Sequence, residues 1–215
     1  MEKLLKGIVD FRKNVLPNCR EKFAMLAKGQ SPDVLFIACS DSRVAPNWFA
    51  STDPGDLFVV RNVGNLVPPS GAKPNPDQID ESALAAVEFA IMQLHVPHIV
   101  VCGHSDCGAM NALLSGVTPE NTPHLKSWLH YGSPALQTFN SGLIKPNIGF
   151  TPVNQLSQIN VLQQIEHLKS YPFVRRNVEA GKLTIHGWWF DIAKADVYSY
   201  REGEKFGSGQ FQIIE

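Results

Sequence analysis

Four short apolar runs constrain the fold of this chain more than any other feature. "DVLFIAC" (33–39), "DLFVVRNV" (56–63), "HIVVCG" (98–103) and "KLTIHGWWF" (182–190) are continuous rather than alternating. That is the pattern of strands buried on both faces, as in a parallel sheet covered by helices. Between the second and third runs, "IDESALAAVEFAIMQLH" (79–95) has helical composition and length, and between the third and fourth, "NQLSQINVLQQIEHLKSYPFV" (154–174) is helical as far as Pro172. Strands alternating with helices predict an α/β fold: a mostly parallel central sheet of about four to five strands flanked by helices. Ahead of it, Leu4, Leu5, Ile8, Phe11, Phe23 and Leu26 fall at helical spacing. They predict an arm of two short amphipathic helices, broken around Pro17.

The 215 residues suffice for one domain with a substantial core, and nothing marks a second. The expectation is a single α/β domain over 1–215, in which the arm (1–30) packs on a partner subunit. Segments 64–78 and 140–154 are rich in Pro, Gly and Asn and are expected to be irregular surface excursions. A formal net charge of -1 with no long run of like charge excludes the usual nucleic-acid and membrane-surface signatures. No run reaches the roughly 18 apolar residues of a membrane span, and the N-terminus lacks a secretory pattern. A cytoplasmic location is therefore expected, and in a reducing compartment Cys19, Cys39, Cys102 and Cys107 read as thiols or metal ligands rather than a disulfide framework.

The chemistry gathers where strands end. Ligands of parallel α/β sheets collect at the carboxyl ends of the strands. There the first run delivers Cys39, Asp41 and Arg43 in "CSDSR", and the third delivers His104 and Cys107 in "GHSDCGAM". Taken separately, each segment is explained by loop capping and a surface ion pair. Together they supply two thiols and one imidazole, a set that suits zinc and leaves one tetrahedral position open. Cys102 belongs to its strand and reads as a small buried hydrophobe. Asp41 is either a fourth ligand or a hydrogen-bond acceptor beside the metal, held by a charge-assisted pair with Arg43. A thiol phosphatase would need Arg six residues after Cys39, where Ala45 stands, and neither a phosphate loop nor a dinucleotide fingerprint is present.

These motifs closely resemble those of the β-class carbonic anhydrases. The likeness extends through "GDLFVVRNVGNLVPP" (55–69), "AAVEFA" (85–90) and "IHGWWFDI" (185–192), covering nearly the whole chain to about Ile192. The resemblance implies one zinc per chain held by Cys39, His104 and Cys107, with Asp41 and Arg43 as catalytic dyad. It implies Gly108 beside the active site, and Gln30, Phe58, Val63 and Phe89 in a substrate pocket built at a dimer interface. Phe89 stands where the plant-type branch has Tyr, and Phe36 and Phe190 stand where another bacterial branch has the Trp and Tyr of a non-catalytic bicarbonate site. The implied activity is reversible hydration of carbon dioxide to bicarbonate and a proton by a zinc-bound hydroxide, in a homodimer or dimer-based higher oligomer. Two other functions stay open: a zinc hydrolase acting on carbon disulfide or carbonyl sulfide, and a bicarbonate-binding zinc protein without turnover.

Among the remaining residues, His95 and His98 in "HVPH" read as a surface turn, and His124, His130 and His167 as solvated. Trp128, Trp188 and Trp189 read as packing, and Cys19 as an incidental free thiol.

Overall fold

The computed structural model describes residues 1–72, 81–144, 150–202 and 209–215. The arm comes first. Helix α1 (Glu2–Asp10) passes through a π-helical turn, Phe11–Val15, into α2 (Leu16–Leu26). Pro17 does not break it, contrary to the sequence expectation. It sits in the first turn of α2, where its missing N–H is one the helix leaves unpaired anyway. No residue of α1 or α2 is buried.

Strand β1 (Val34–Cys39) leads to a short helix, α3 (Pro46–Phe49), and β2 (Leu57–Asn62) ends in a 3-10 turn, Val63–Asn65. Helix α4 (Ser82–Met92) returns the chain to β3 (His98–His104). Then come α5 (Gly108–Ser115), α6 (Pro123–Leu129), α7 (Ser133–Ser141) and the long α8 (Pro152–Lys169). The helix expected as far as Pro172 ends at Lys169, and α9 (Pro172–Glu179) opens a new one at that proline. β4 (Thr184–Asp191), β5 (Asp196–Arg201) and β6 (Gln210–Ile213) complete the sheet.

The sheet has the order β2-β1-β3-β4-β5-β6. The first four strands are parallel, and β5 and β6 add antiparallel to that edge. The four apolar runs are the four parallel strands. The two further strands were not anticipated because their burial is partial and their residues mixed. One face, with Leu35, Ile37, Ile99, Val101 and Trp189, packs on α4 and α8 through Val87, Ile91, Val161 and Leu168. The other carries Phe36, Ala38, Val100, Cys102 and Phe190 beneath Val44 and Phe49, with the Phe49 and Phe190 rings stacked at 4.5 Å. Gly103 lets α8 lie close against β3, since a Cβ there would stand 2.8 Å from Val161 Cγ2 and 3.2 Å from the Ser157 carbonyl oxygen. Of the two irregular excursions, residues 73–80 and 145–149 lie outside the described residues. No described helix is long and apolar enough to cross a membrane.

Candidate metal centre

β1 and β3 are neighbours in the sheet and run in the same direction, so their carboxyl ends stand side by side. Cys39 is the last residue of β1 and His104 the last of β3. Two residues beyond His104 the backbone turns through Asp106, whose φ of 52° is left-handed. That turn brings Cys107 to the start of α5 as its N-cap. The Cys39 and Cys107 sulfurs and a His104 ring nitrogen lie within 4.8 Å of one another, and all three residues are buried.

The loop is tacked down from α8. Asn154 Oδ1 accepts from the Asp106 N–H at 2.8 Å, and Ser157 Oγ donates to the His104 carbonyl at 2.8 Å. The Ser105 N–H donates to the Phe190 carbonyl on β4, and Ser105 Oγ accepts from the Ile192 N–H. The His104 ring has one orientation open to it. Its Nδ1 is 2.8 Å from the Ser105 carbonyl oxygen, which can only accept, so Nδ1 carries the proton and Nε2 the lone pair. Nε2 is fully buried and has no hydrogen-bond partner. An unpaired buried acceptor is costly, and facing two sulfurs it is explained as a metal ligand. The residues therefore fit a metal that prefers sulfur and nitrogen donors.

The thiols are unequal. Cys107 donates to Cys39, which stabilises the Cys39 thiolate well below the usual thiol range despite its burial, with the Gly64 N–H adding to the effect. The same pairing, with burial, pushes Cys107 up. A metal replaces that shared proton with its own positive charge.

Asp41 stands beside the group, its Oδ2 3.9 Å from His104 Nε2. Arg43 grips both carboxylate oxygens: Nε donates to Oδ1 at 2.9 Å, Nη2 to Oδ2 at 2.8 Å, and the Arg43 N–H to Oδ1 at 3.0 Å. These bonds hold the Asp41 carboxyl well below the usual carboxylate range, so it is an acceptor across the physiological range. Arg43 Nη2 also donates to the Asp106 carbonyl, tying the dyad to the loop that carries Cys107.

A further clamp comes from Arg61 on β2. Here its Nε and Nη2 donate to the Cys39 carbonyl at 3.0 and 2.9 Å, and Nη2 donates to the Asp41 carbonyl at 2.6 Å. Phe36 is enclosed by Phe49 and Trp188.

The expected pocket residues divide. Val63 borders the turn that touches Cys39, and its carbonyl accepts from Trp128 Nε1. A Cβ built at Gly108 meets nothing within 4 Å, so the space beside the centre is open there. Phe58 and Phe89 stack on each other at 5.9 Å, but Phe58 pairs with Leu35, toward the far end of β1 from Cys39. Gln30 is exposed between the arm and the sheet. Within one chain, these three do not join the ligands. Of the histidines expected to be solvated, His124 and His130 are exposed, but His167 is not. It is buried, and its Nδ1 lies 2.7 Å from the Val67 carbonyl.

Two thiols and an imidazole at the ends of adjacent parallel strands, beside a carboxylate gripped by arginine, define an α/β enzyme with a buried group suited to a metal. The chain belongs to the β-carbonic anhydrases. The carbonic anhydrase family model matches residues 34–197. A carbonic anhydrase of Synechococcus elongatus is 41% identical over 202 residues, covering 92% of this chain and 70% of that protein. The structure of the β-carbonic anhydrase CcaA superposes with a TM-score of 0.84 at 35% identity, covering 94% of this chain and 95% of the other. A β-carbonic anhydrase of Sordaria macrospora, described as tetrameric, superposes with a TM-score of 0.78 at 29% identity, covering 97% of each chain.

Proposed function

We propose that this protein catalyses the reversible hydration of carbon dioxide to bicarbonate with one zinc ion held by Cys39, His104 and Cys107. The observation that carries the reading is the buried, unpartnered His104 Nε2 facing two sulfurs, with the Asp41 carboxylate 3.9 Å away. Zinc bound there supplies Lewis acidity and makes a hydroxide-strength nucleophile available near neutral pH. The chain's own residues do the rest. Asp41 accepts a hydrogen bond from the nucleophile's O–H, without taking the proton, and so points the free lone pair at the substrate. Arg43 keeps Asp41 from turning toward the ligands by holding both of its oxygens, and Arg61 holds the backbone that carries Cys39 and Asp41. The open space at Gly108 and the apolar Val63 border the position where a small neutral substrate can approach.

The pocket is completed by a second copy of the chain. The support for this is the stacked Phe58 and Phe89 and the exposed Gln30, remote from their own metal ligands, and an arm whose Leu4, Leu5, Ile8 and Val9 are all exposed. A homodimer, or a higher oligomer built from it, gives these side chains a site to line. The four cysteines are free, and a centre that needs thiolates suits the reducing cytoplasm.

The test is metal analysis with stopped-flow hydration assays on wild type and Asp41→Ala. Wild type should carry about one zinc per chain and be active. Asp41→Ala should keep the zinc and lose about 100-fold or more of the activity. Full activity in that variant would remove Asp41 from the mechanism.

A further inference from the structure

Helix α8 is unusual in burying polar side chains in a row. Asn160, Gln164 and His167 are 1%, 0% and 6% exposed, and at three- and four-residue spacing they share one stripe of the helix. Each is bonded; apart from contacts within the row and a 3.5 Å bond from Gln164 Nε2 to the Tyr131 carbonyl, the bonds lead to one segment, Gly64 to Val67. Asn160 Nδ2 donates to the Gly64 carbonyl at 3.1 Å, and Asn160 Oδ1 accepts from Gln164 Nε2 at 2.9 Å. Gln164 Oε1 accepts from the Val67 N–H at 2.8 Å, and His167 Nδ1 donates to the Val67 carbonyl. Two backbone groups set the direction of the whole row. The Val67 N–H can only donate and the Gly64 carbonyl can only accept, so neither amide can flip without losing a partner.

The segment held in this way reaches the metal centre. The Gly64 N–H donates to Cys39 Sγ at 3.3 Å in a buried environment. Gly64 has φ +81°, and a Cβ there would stand 2.9 Å from Ala109 Cβ. The donor thus depends on a backbone conformation that suits glycine and on close approach to α5. Hydrogen bonds to a ligating sulfur withdraw electron density from it, and the partners that orient them tune metal affinity and electrophilicity. With two thiolates offsetting the charge of a divalent ion, such a donor matters.

Building on the zinc reading above, we propose that Asn160, Gln164 and His167 are positioning residues for the metal centre: they hold the Gly64–Val67 segment so that the Gly64 N–H donates to Cys39 Sγ and sets how strongly that sulfur donates to the ion. The row acts at a distance, touching neither metal nor substrate.

The experiment has two arms, both on the full chain. In the first, wild type, Asn160→Ser and Gln158→Leu are loaded with cobalt(II) and their absorption spectra recorded, and zinc affinity is measured by chelator competition. Loss of the N–H to sulfur bond makes the sulfur more electron-rich. Asn160→Ser should therefore move the sulfur-to-cobalt charge-transfer band to longer wavelength and change the zinc affinity by about tenfold or more. Gln158→Leu, on the same helix and fully buried but outside the row, should leave the band where it is. A folded Asn160→Ser with the wild-type band and affinity overturns the proposal. The second arm needs no variant, so it decides even if Asn160→Ser fails to fold. In wild type loaded with cadmium-113, the Gly64 amide proton should show scalar coupling to the metal through Cys39 Sγ, and metal uptake without that coupling overturns the proposal. A wild-type chain that takes up neither cobalt nor cadmium sinks the zinc reading instead.

Discussion

At the residue scale, the carboxylate beside the buried thiols and imidazole has both oxygens occupied by one guanidinium. Arg43 approaches Asp41 as a planar fork, which lysine cannot reproduce with a single ammonium. Arg43→Lys should therefore retain the metal but lose much of the hydration activity, with zinc content and stopped-flow rates as the two readings. Equal loss of both would make Arg43 a structural residue rather than an orienting one. Gly64 makes a separate prediction. A methyl group at φ +81° and 2.9 Å from Ala109 Cβ is both strained and crowded. Gly64→Ala should cost about 2 kcal/mol or more of stability in urea unfolding, and an unchanged midpoint would show that the 63–65 turn yields freely. The five residues that the fold gathers, Cys39, Asp41, Arg43, His104 and Cys107, were legible in the sequence because their types are chemically distinctive and sit just past apolar runs. Arg61 and Gly64 were not, since an arginine and a glycine near a strand end have many uses, and only their contacts with the Cys39 carbonyl and sulfur show which applies.

At the scale of elements, α8 is the support of the site. It carries Asn154 and Ser157 to the loop between β3 and α5, and Asn160, Gln164 and His167 to the turn after β2. The sequence showed this segment as a helix but not which side it buried, because apolar and polar residues alternate around it with little separation. The stripe of Ser157, Asn160, Gln164 and His167 at helical spacing was the available signal, and amides that bond to backbone do not stand out from amides that face water. His167 has a pH consequence. Burial lowers its pKa below the usual histidine value, opposed by the Val67 carbonyl and Glu166. The unfolded chain then binds the proton more readily than the folded one. The stabilisation is complete above the unfolded value near 6.5 and is lost as pH falls below it toward the folded value. Between about pH 7 and 5, wild type should lose unfolding free energy more steeply than His167→Asn, as read by urea titrations at matched pH, and parallel curves would contradict this assignment.

At the scale of the whole molecule, the sheet ends at β2 on one side, and the arm meets its own chain only near its end, where Lys22 pairs with Asp53 and Leu26 lies against Gly55, among the described residues. β2 ends the sheet order, with Val59 and Val63 exposed, and an unpaired edge with apolar side chains is a surface that proteins normally cover. The arm presents Leu4, Leu5, Ile8 and Val9 from a helix without a buried residue. If a second copy receives this face, Leu5→Glu with Ile8→Glu should shift sedimentation velocity toward the monomer and reduce hydration activity, because the pocket loses residues lent by the partner. An unchanged oligomer would release the arm from that role.

Taken alone, the sequence determined the parallel α/β core and singled out the two thiols, the imidazole and the carboxylate–guanidinium pair that the fold brings together. Continuous apolar runs have one common use, and two thiols, an imidazole and a carboxylate placed just past them have few. It could not determine which polar residues are buried. His167 looked solvated until α8 was seen lying against the 64–67 segment. Nor did it show the antiparallel strands β5 and β6, whose mixed residues fit an edge as well as a loop. Those outcomes depend on which element packs on which, a long-range relation that no local pattern of residue types records. Only the tertiary structure decided that the Gly64 N–H at the Cys39 sulfur and the Arg61 guanidinium at its carbonyl would hold this strand end in place.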